Sequence, residues 1–143
     1  MRLKDKIAII TGSTKGIGME TAKVFAREGA KVVICGTREN AIKEVVEEIK
    51  AEGAEALGFK VDVSQRVQVD EMVAEVKKAW GRIDILVNNA GITADAMLKK
   101  MTEEQFDKVL SINLKGVYNC AQAVLETMTE QGSGVILNAS SVV

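Results

Sequence analysis

The chain has 143 residues, 47% of them hydrophobic and 27% charged, which is long enough to bury one core and unlike a disordered segment. Nineteen Lys plus Arg against twenty Asp plus Glu leave a net charge of −1, so there is no basic field to hold a nucleic-acid backbone or an anionic membrane. Histidine is absent, which excludes histidine triads, histidine metal sites and histidine proton shuttles.

Ile7 to Ile10 is the first of five short apolar runs, mostly β-branched, that read as buried parallel strands. A glycine-rich stretch follows it, Thr11-Gly12-Ser13-Thr14-Lys15-Gly16-Ile17-Gly18, and then a helix expected to turn Ala22, Phe25 and Ala26 inward and to stop at Gly29. Val32 to Cys35 is the second strand. In the next helix Ile42, Val45, Val46 and Ile49 follow the i, i+3, i+4, i+7 rule, Gly53 marks the stop, and the charges from Glu39 to Glu55 are its solvated face. Ala56 to Val61 and Ile83 to Val87 are strands three and four, separated by a helix whose inner face is Val69, Met72, Val73 and Val76.

Thr102 with Gln105 predicts a capping box for a long helix. Phe106, Val109 and Leu110 mark its inner face, and Asn113 takes the next inward position, where a buried amide must be hydrogen-bonded, either as a core residue that bends the helix or as part of a site. Val117, Ala121, Val124, Leu125 and Met128 continue that face, which turns Lys115, Asn119, Gln122 and Thr127 outward without a decisive apolar patch. Val135 to Leu137 is the fifth strand, running into Asn138, Ala139, Ser140, Ser141, Val142 and Val143.

Strands alternating with amphipathic helices through right-handed crossovers imply an α/β fold: an open parallel sheet, order 3-2-1-4-5, covered on both faces in three layers. With no proline, linker or repeat, residues 1–143 read as one domain. The fifth strand lacks a covering helix, which predicts a chain truncated at its C-terminal side. No apolar stretch is long enough to span a bilayer, so a cytoplasmic setting is expected. Cys35 and Cys120 lack ligand or C-x-x-C spacing and read as buried thiols, with no metal site.

The glycine stretch stands between a strand and a helix, where a dinucleotide pyrophosphate is met by free N–H groups at the helix start, the Rossmann arrangement. Its spacing is G-x-x-x-G-x-G rather than G-x-G-x-x-G, and the plainer alternative is a turn that only packs helix on sheet. After strand two, where a carboxylate would take the ribose hydroxyls of NAD, the residues are Cys35-Gly36-Thr37-Arg38, and Glu39 already falls at a helix start. Arg38, with Thr37 beside it and Lys15 in the loop, points to a 2′-phosphate and so to NADP(H), unless both cations are merely solvated.

TGSTKGIG after strand one, Asp62-Val63 after strand three, Asn88-Asn89-Ala90-Gly91 after strand four, Asn113 in SINLKG and Ser141 after strand five together resemble the short-chain dehydrogenase/reductase family over the whole chain, in order. The stretch NNAGITADAMLKKMTEEQFDKVLSINLKGVYN is similar to the family's 3-oxoacyl-acyl-carrier-protein reductases. The resemblance implies Gly12, Gly16 and Gly18 around the pyrophosphate with Ser13, Thr14, Lys15 and Ile17 in the same loop, Asp62 and Val63 at the adenine, and Asn89, Ala90 and Gly91 along the inner ribose. It further implies that Asn113 holds a water of a proton relay and that Ser141, rather than Ser140, hydrogen-bonds the substrate carbonyl.

The family's Tyr-x-x-x-Lys should follow Ser141, and the sequence stops first; the single tyrosine, Tyr118, is followed by Asn119, Cys120, Ala121 and Gln122 and cannot stand in. The expected activity is NADPH-dependent reduction of a 3-oxoacyl group on acyl carrier protein in fatty-acid synthesis, by a parent protein that forms homo-oligomers, with these residues inactive alone. Action on another ketone or alcohol, a non-catalytic nucleotide-binding fragment and a purely structural module are the alternatives.

Overall fold

The computed structural model describes residues 1–141. Five parallel strands, β1 (Ile7–Ile10), β2 (Lys31–Gly36), β3 (Ala56–Lys60), β4 (Ile85–Asn88) and β5 (Val135–Asn138), form one sheet in the order β3-β2-β1-β4-β5, as the crossover pattern predicts. β1 is the central strand, with Ile9 in register with Val33 on one side and Leu86 on the other.

Side chains alternate across the sheet, and each set meets its own layer of helices. Ala8, Ile10, Val32, Ile34, Ile85 and Val87 pack against Ala22 and Ala26 of α1 (Gly16–Arg27) and against Ile42, Val45 and Ile49 of α2 (Glu39–Ala51). Ile7, Ile9, Val33, Cys35 and Leu86 point the other way, onto Val69, Met72, Val73 and Val76 of α3 (Arg66–Trp80) and onto Cys120, Val124 and Met128 of α5 (Gly116–Gln131). This is the doubly wound, three-layer arrangement of the Rossmann type. Phe25 is only partly buried, and Gly29 and Gly53, with φ of +94° and +92°, end their helices where expected.

The segment after Thr102 departs from its periodicity. The capping box forms: Gln105 N donates to Thr102 Oγ1 at 3.1 Å and Thr102 N donates to Gln105 Oε1 at 2.9 Å. It starts α4 (Glu103–Leu110), but Ser111–Lys115 is a π-helical turn before α5 begins. An inserted residue rotates everything beyond it by about 100°. Val124 and Met128 of α5 are buried as predicted, while Gly116, Asn119, Cys120 and Thr127 are buried beside them and Val117, Ala121 and Leu125 are not fully buried.

Asn119 and Thr127 are thus buried rather than outward, and Leu125 is exposed rather than inward. Phe106 and Leu110, expected inside, are 53% and 40% exposed, and with Leu114 and Tyr118 they leave an apolar outer surface that the sequence pattern hides.

β5 borders the sheet, with Val135 and Leu137 about half exposed, and among the described residues no strand pairs with its outer edge. Val142 and Val143, the apolar pair expected after Ser141, lie outside the described residues. Among the described residues no helix is long and apolar enough to cross a membrane.

Candidate functional site

The connection from β1 passes through α1 to β2 on one side, while β4 is reached through α3 on the other. The carboxyl ends of β1 and β4 therefore face a crevice at the point where the chain changes sides, the place where open parallel sheets bind ligands. A cavity of about 710 Å³ lies there, walled by the loop after β1, the end of β2, Val61 to Val63 after β3, Asn89 to Ile92 after β4, and Lys108 and Ile112 from the α4 side.

Two glycines make the crevice possible by letting backbone approach backbone. At Gly12, whose φ is +61°, a Cβ would stand 2.9 Å from Ala90 Cα; at Gly18 it would stand 2.4 Å from the carbonyl oxygen of Gly12 and 2.5 Å from Asn89 Nδ2. The loop, the start of α1 and the end of β4 are therefore locked at van der Waals contact. No side chain caps α1, and no acid lies in its first turn. Its free N–H groups and the positive end of its dipole, bordered by Lys15, Gly16 and Ile17 on the cavity wall, suit a bound anion.

Polar tethers hold these walls in place. Thr11, 1% exposed, accepts from the backbone N–H groups of Asn89 and Ala90, each at 2.9 Å, and Asn89 Nδ2 donates to the Gly12 carbonyl at 3.2 Å. Ser13, expected among the cofactor-binding residues of the loop, is fully buried and turned toward β2: its Oγ accepts from Cys35 N at 3.0 Å while its own N–H donates to the Cys35 carbonyl at 3.1 Å. It thereby sets the course of Cys35 to Arg38 rather than touching the cavity. Gly18 likewise lies behind the wall. Cys35 and Cys120 are free and buried in one cluster, as expected, and burial pushes each thiol up to about 12, which keeps both protonated near neutrality.

Thr14, Lys15, Thr37 and Arg38 all reach the wall, and among the described residues neither Lys15 nor Arg38 joins an ion pair. Glu39 opens α2 as the single acid of its first turn and does not line the cavity. Asp62 is fixed from its own side, since its Oδ1 accepts from Ser64 N at 2.9 Å and Ser64 Oγ at 2.6 Å, and its N–H donates to Gln68 Oε1 at 2.8 Å.

Asn113 corrects the sequence reading. It lies exposed in the π-helical turn, and both of its amide atoms are engaged: Oδ1 accepts from Ile92 N and Nδ2 donates to the Ile92 carbonyl, each at 2.9 Å. Ser141 is exposed beyond β5, whose end is tied to β4 by Asn88 Nδ2 donating to Asn138 Oδ1 at 3.0 Å. Asn113 and Ser141 stand at the same edge of the sheet as the cavity but not on its wall.

Cys35, Gly36, Val61, Ile92, Lys108 and Ile112 line the cavity, and Thr11 braces it through Asn89 and Ala90; none of them was singled out by sequence as a site residue. For Thr11 the signal is a threonine closing a buried strand. Lys108 carries none, and Ile112 lies within the π turn, which the periodicity does not announce. Among the described residues no cluster could hold a metal ion.

A 3-oxoacyl-[acyl-carrier-protein] reductase of Thermotoga maritima is 43% identical over 143 residues, which is all of this chain and 58% of that protein. The protein of the same name from Staphylococcus epidermidis is 44% identical over 141 residues, 97% of this chain and 57% of that one. A 3alpha-hydroxysteroid dehydrogenase of Mediterraneibacter gnavus is 41% identical over 145 residues, 100% of this chain and 58% of that protein. The chain thus spans less than three-fifths of the curated relatives it matches. The profile of the short chain dehydrogenases matches residues 6–143, and with the sheet order and the crevice at its switch point this chain belongs to that family.

Proposed function

We propose that these residues form the cofactor-binding part of an NADPH-dependent oxidoreductase that reduces 3-oxoacyl groups carried by acyl carrier protein in fatty-acid synthesis, and that alone they do not turn over. The observation that carries this reading is the convergence of the loop after β1 and the ends of β2, β3 and β4 on one cavity of about 710 Å³. A bound nicotinamide nucleotide would supply the hydride that reduces the carbonyl.

The loop from Gly12 to Gly18 and the start of α1 hold the pyrophosphate, with Thr14 and Lys15 on the wall and Ser13 bracing the loop from behind. Lys15, Thr37 and Arg38 take the 2′-phosphate that distinguishes NADP(H). Asp62 and Val63 flank the adenine, and Asn89, Ala90 and Gly91 line the inner ribose. Ser141 donates its hydroxyl to the substrate carbonyl oxygen, where negative charge develops during reduction. Asn113 acts by holding Ile92 and the π turn. Its second amide hydrogen and the second lone pair of Oδ1 are left for the relay water.

The reading also takes the protein as a cytoplasmic homo-oligomer. Leu110, Leu114 and Tyr118 border one open groove on the outer face of α4 and α5, and burying it against a second copy would remove an exposed apolar patch. Sedimentation of the chain should show association that Leu114→Glu weakens, and a wild-type monomer at all concentrations would contradict it.

The 41% identity to a hydroxysteroid dehydrogenase supports a second reading, with a different ketone as substrate. The coding sequence beyond Val143 and the activity of its complete product separate the two. A downstream Tyr-x-x-x-Lys and faster NADPH oxidation with acetoacetyl thioester than with a 3-ketosteroid are expected. The opposite ranking moves the substrate to the second class, and absence of that motif leaves only a nucleotide-binding module.

A further inference from the structure

We propose that Asn119 is a positioning residue for the adenine end of the cofactor, acting through Val63; this rests on the assignment of the cavity to NADP(H). Asn119 is 2% exposed on the inner side of α5, and its Nδ2 donates to the Val63 carbonyl at 2.9 Å across 56 positions of sequence. One turn earlier, Gly116 lets the same helix press on the same residue, since a Cβ there would stand 2.5 Å from Val63 Cγ2. Val63 is therefore clamped by a hydrogen bond and by close packing, both from α5.

The opposite flank of this segment is tied to β2 and to α3. Val61 N donates to Gly36 O at 2.8 Å and is the last link to β2, and beyond it Asp62 is held by Ser64 of its own turn and by Gln68 in the first turn of α3. These bonds hold the segment from β2 and from α3, and none of them reaches α5. Asn119 and Gly116 thus supply the α5 side of the hold on Asp62 and Val63 at the cavity wall, beside the core packing of Val61 and Val63. A buried donor also explains why a polar residue occupies the inner face of α5, where packing alone would favour an aliphatic.

The inference separates the two halves of the cofactor. In Asn119→Leu the chain keeps its volume but loses the tether, so affinity for 2′,5′-ADP, a probe of the adenine half, should fall about tenfold, as expected for one lost buried hydrogen bond. Affinity for reduced nicotinamide mononucleotide, which reaches only the other half, should stay within about twofold. Asn119→Ser, which is too short to reach Val63 and leaves room for water, should show the same split if the leucine variant folds poorly.

Gln122→Ala removes a different link between α5 and α3, the bond from Arg66, and controls for simple loosening of the helix; it should leave both affinities unchanged. Equal 2′,5′-ADP affinity in wild type and folded Asn119 variants overturns the positioning role while leaving the cofactor assignment intact. Equal losses for both probes, or the same loss in Gln122→Ala, would make Asn119 merely structural and overturn it as well. A wild-type chain that binds neither probe overturns the cofactor assignment itself.

Discussion

Gly18→Ala should abolish useful nucleotide binding, lowering NADPH affinity by about a hundredfold while the chain retains its helical content. Two effects oppose each other. Alanine is the better helix former, by about 1 kcal/mol in an exposed helix interior, which favours the variant. Against that, the new methyl would lie 2.4 Å from the Gly12 carbonyl oxygen and 2.5 Å from Asn89 Nδ2. A Cβ has no rotamer that relieves such contacts, so the loop must move off α1, and overpacking of this kind costs about 1–3 kcal/mol. The displaced groups are those that form the anion cradle and its tether to β4, so much of the strain appears as lost binding rather than only as lost stability. Titration with NADPH, paired with thermal unfolding of the same samples, reads both. Unchanged affinity would mean that the loop does not hold the pyrophosphate.

Replacing Lys15 and Arg38 by alanine should remove the preference for NADPH over NADH. A charge-assisted contact to a phosphate contributes about 1.5–3 kcal/mol when well formed. Both side chains are exposed, so salt screening places each at the lower end, about a tenfold change in the NADPH to NADH affinity ratio per substitution. The double variant should approach a hundredfold if the two act independently, and the wild-type preference should itself shrink as ionic strength rises. NADH affinity should change little, because the ribose hydroxyls of NADH carry no charge for these cations to meet. An unchanged ratio in the double variant would assign both residues to solvent.

The layered sheet was legible because its signals are local and repeated. Most strands are short β-branched runs, each crossover helix shows its own 3.6 period, and the right-handed rule makes their alternation a parallel sheet covered on both faces. The glycine loop was legible for the same reason, standing between a strand and a helix whose ends the sequence marks. The inner face of α5 was legible only in part, at Val124 and Met128, because the π-helical turn at Ser111–Lys115 leaves no trace in composition yet rotates the helix that follows. That rotation hid the burial of Asn119 and the exposure of Leu125. Asn113 was recognised as unusual in its stripe, but its bonds to Ile92 join positions 21 apart and follow only from the folded chain. The sequence set Ser13 in the glycine loop but could not orient it, since the direction of a loop side chain is set by the neighbouring strand.

Backbone amide resonances followed during titration of the isotopically labelled 143-residue chain with NADPH test the nucleotide site most directly. Saturable shifts confined to the loop from Gly12 to Gly18, to Thr37 and Arg38, to Asp62 and Val63 and to Asn89, Ala90 and Gly91, displaced by 2′,5′-ADP at the first three segments, are the expected result. A folded spectrum that NADPH leaves unchanged, or shifts that gather on the outer face of α4 and α5, would contradict a cofactor site at the carboxyl edge of this sheet.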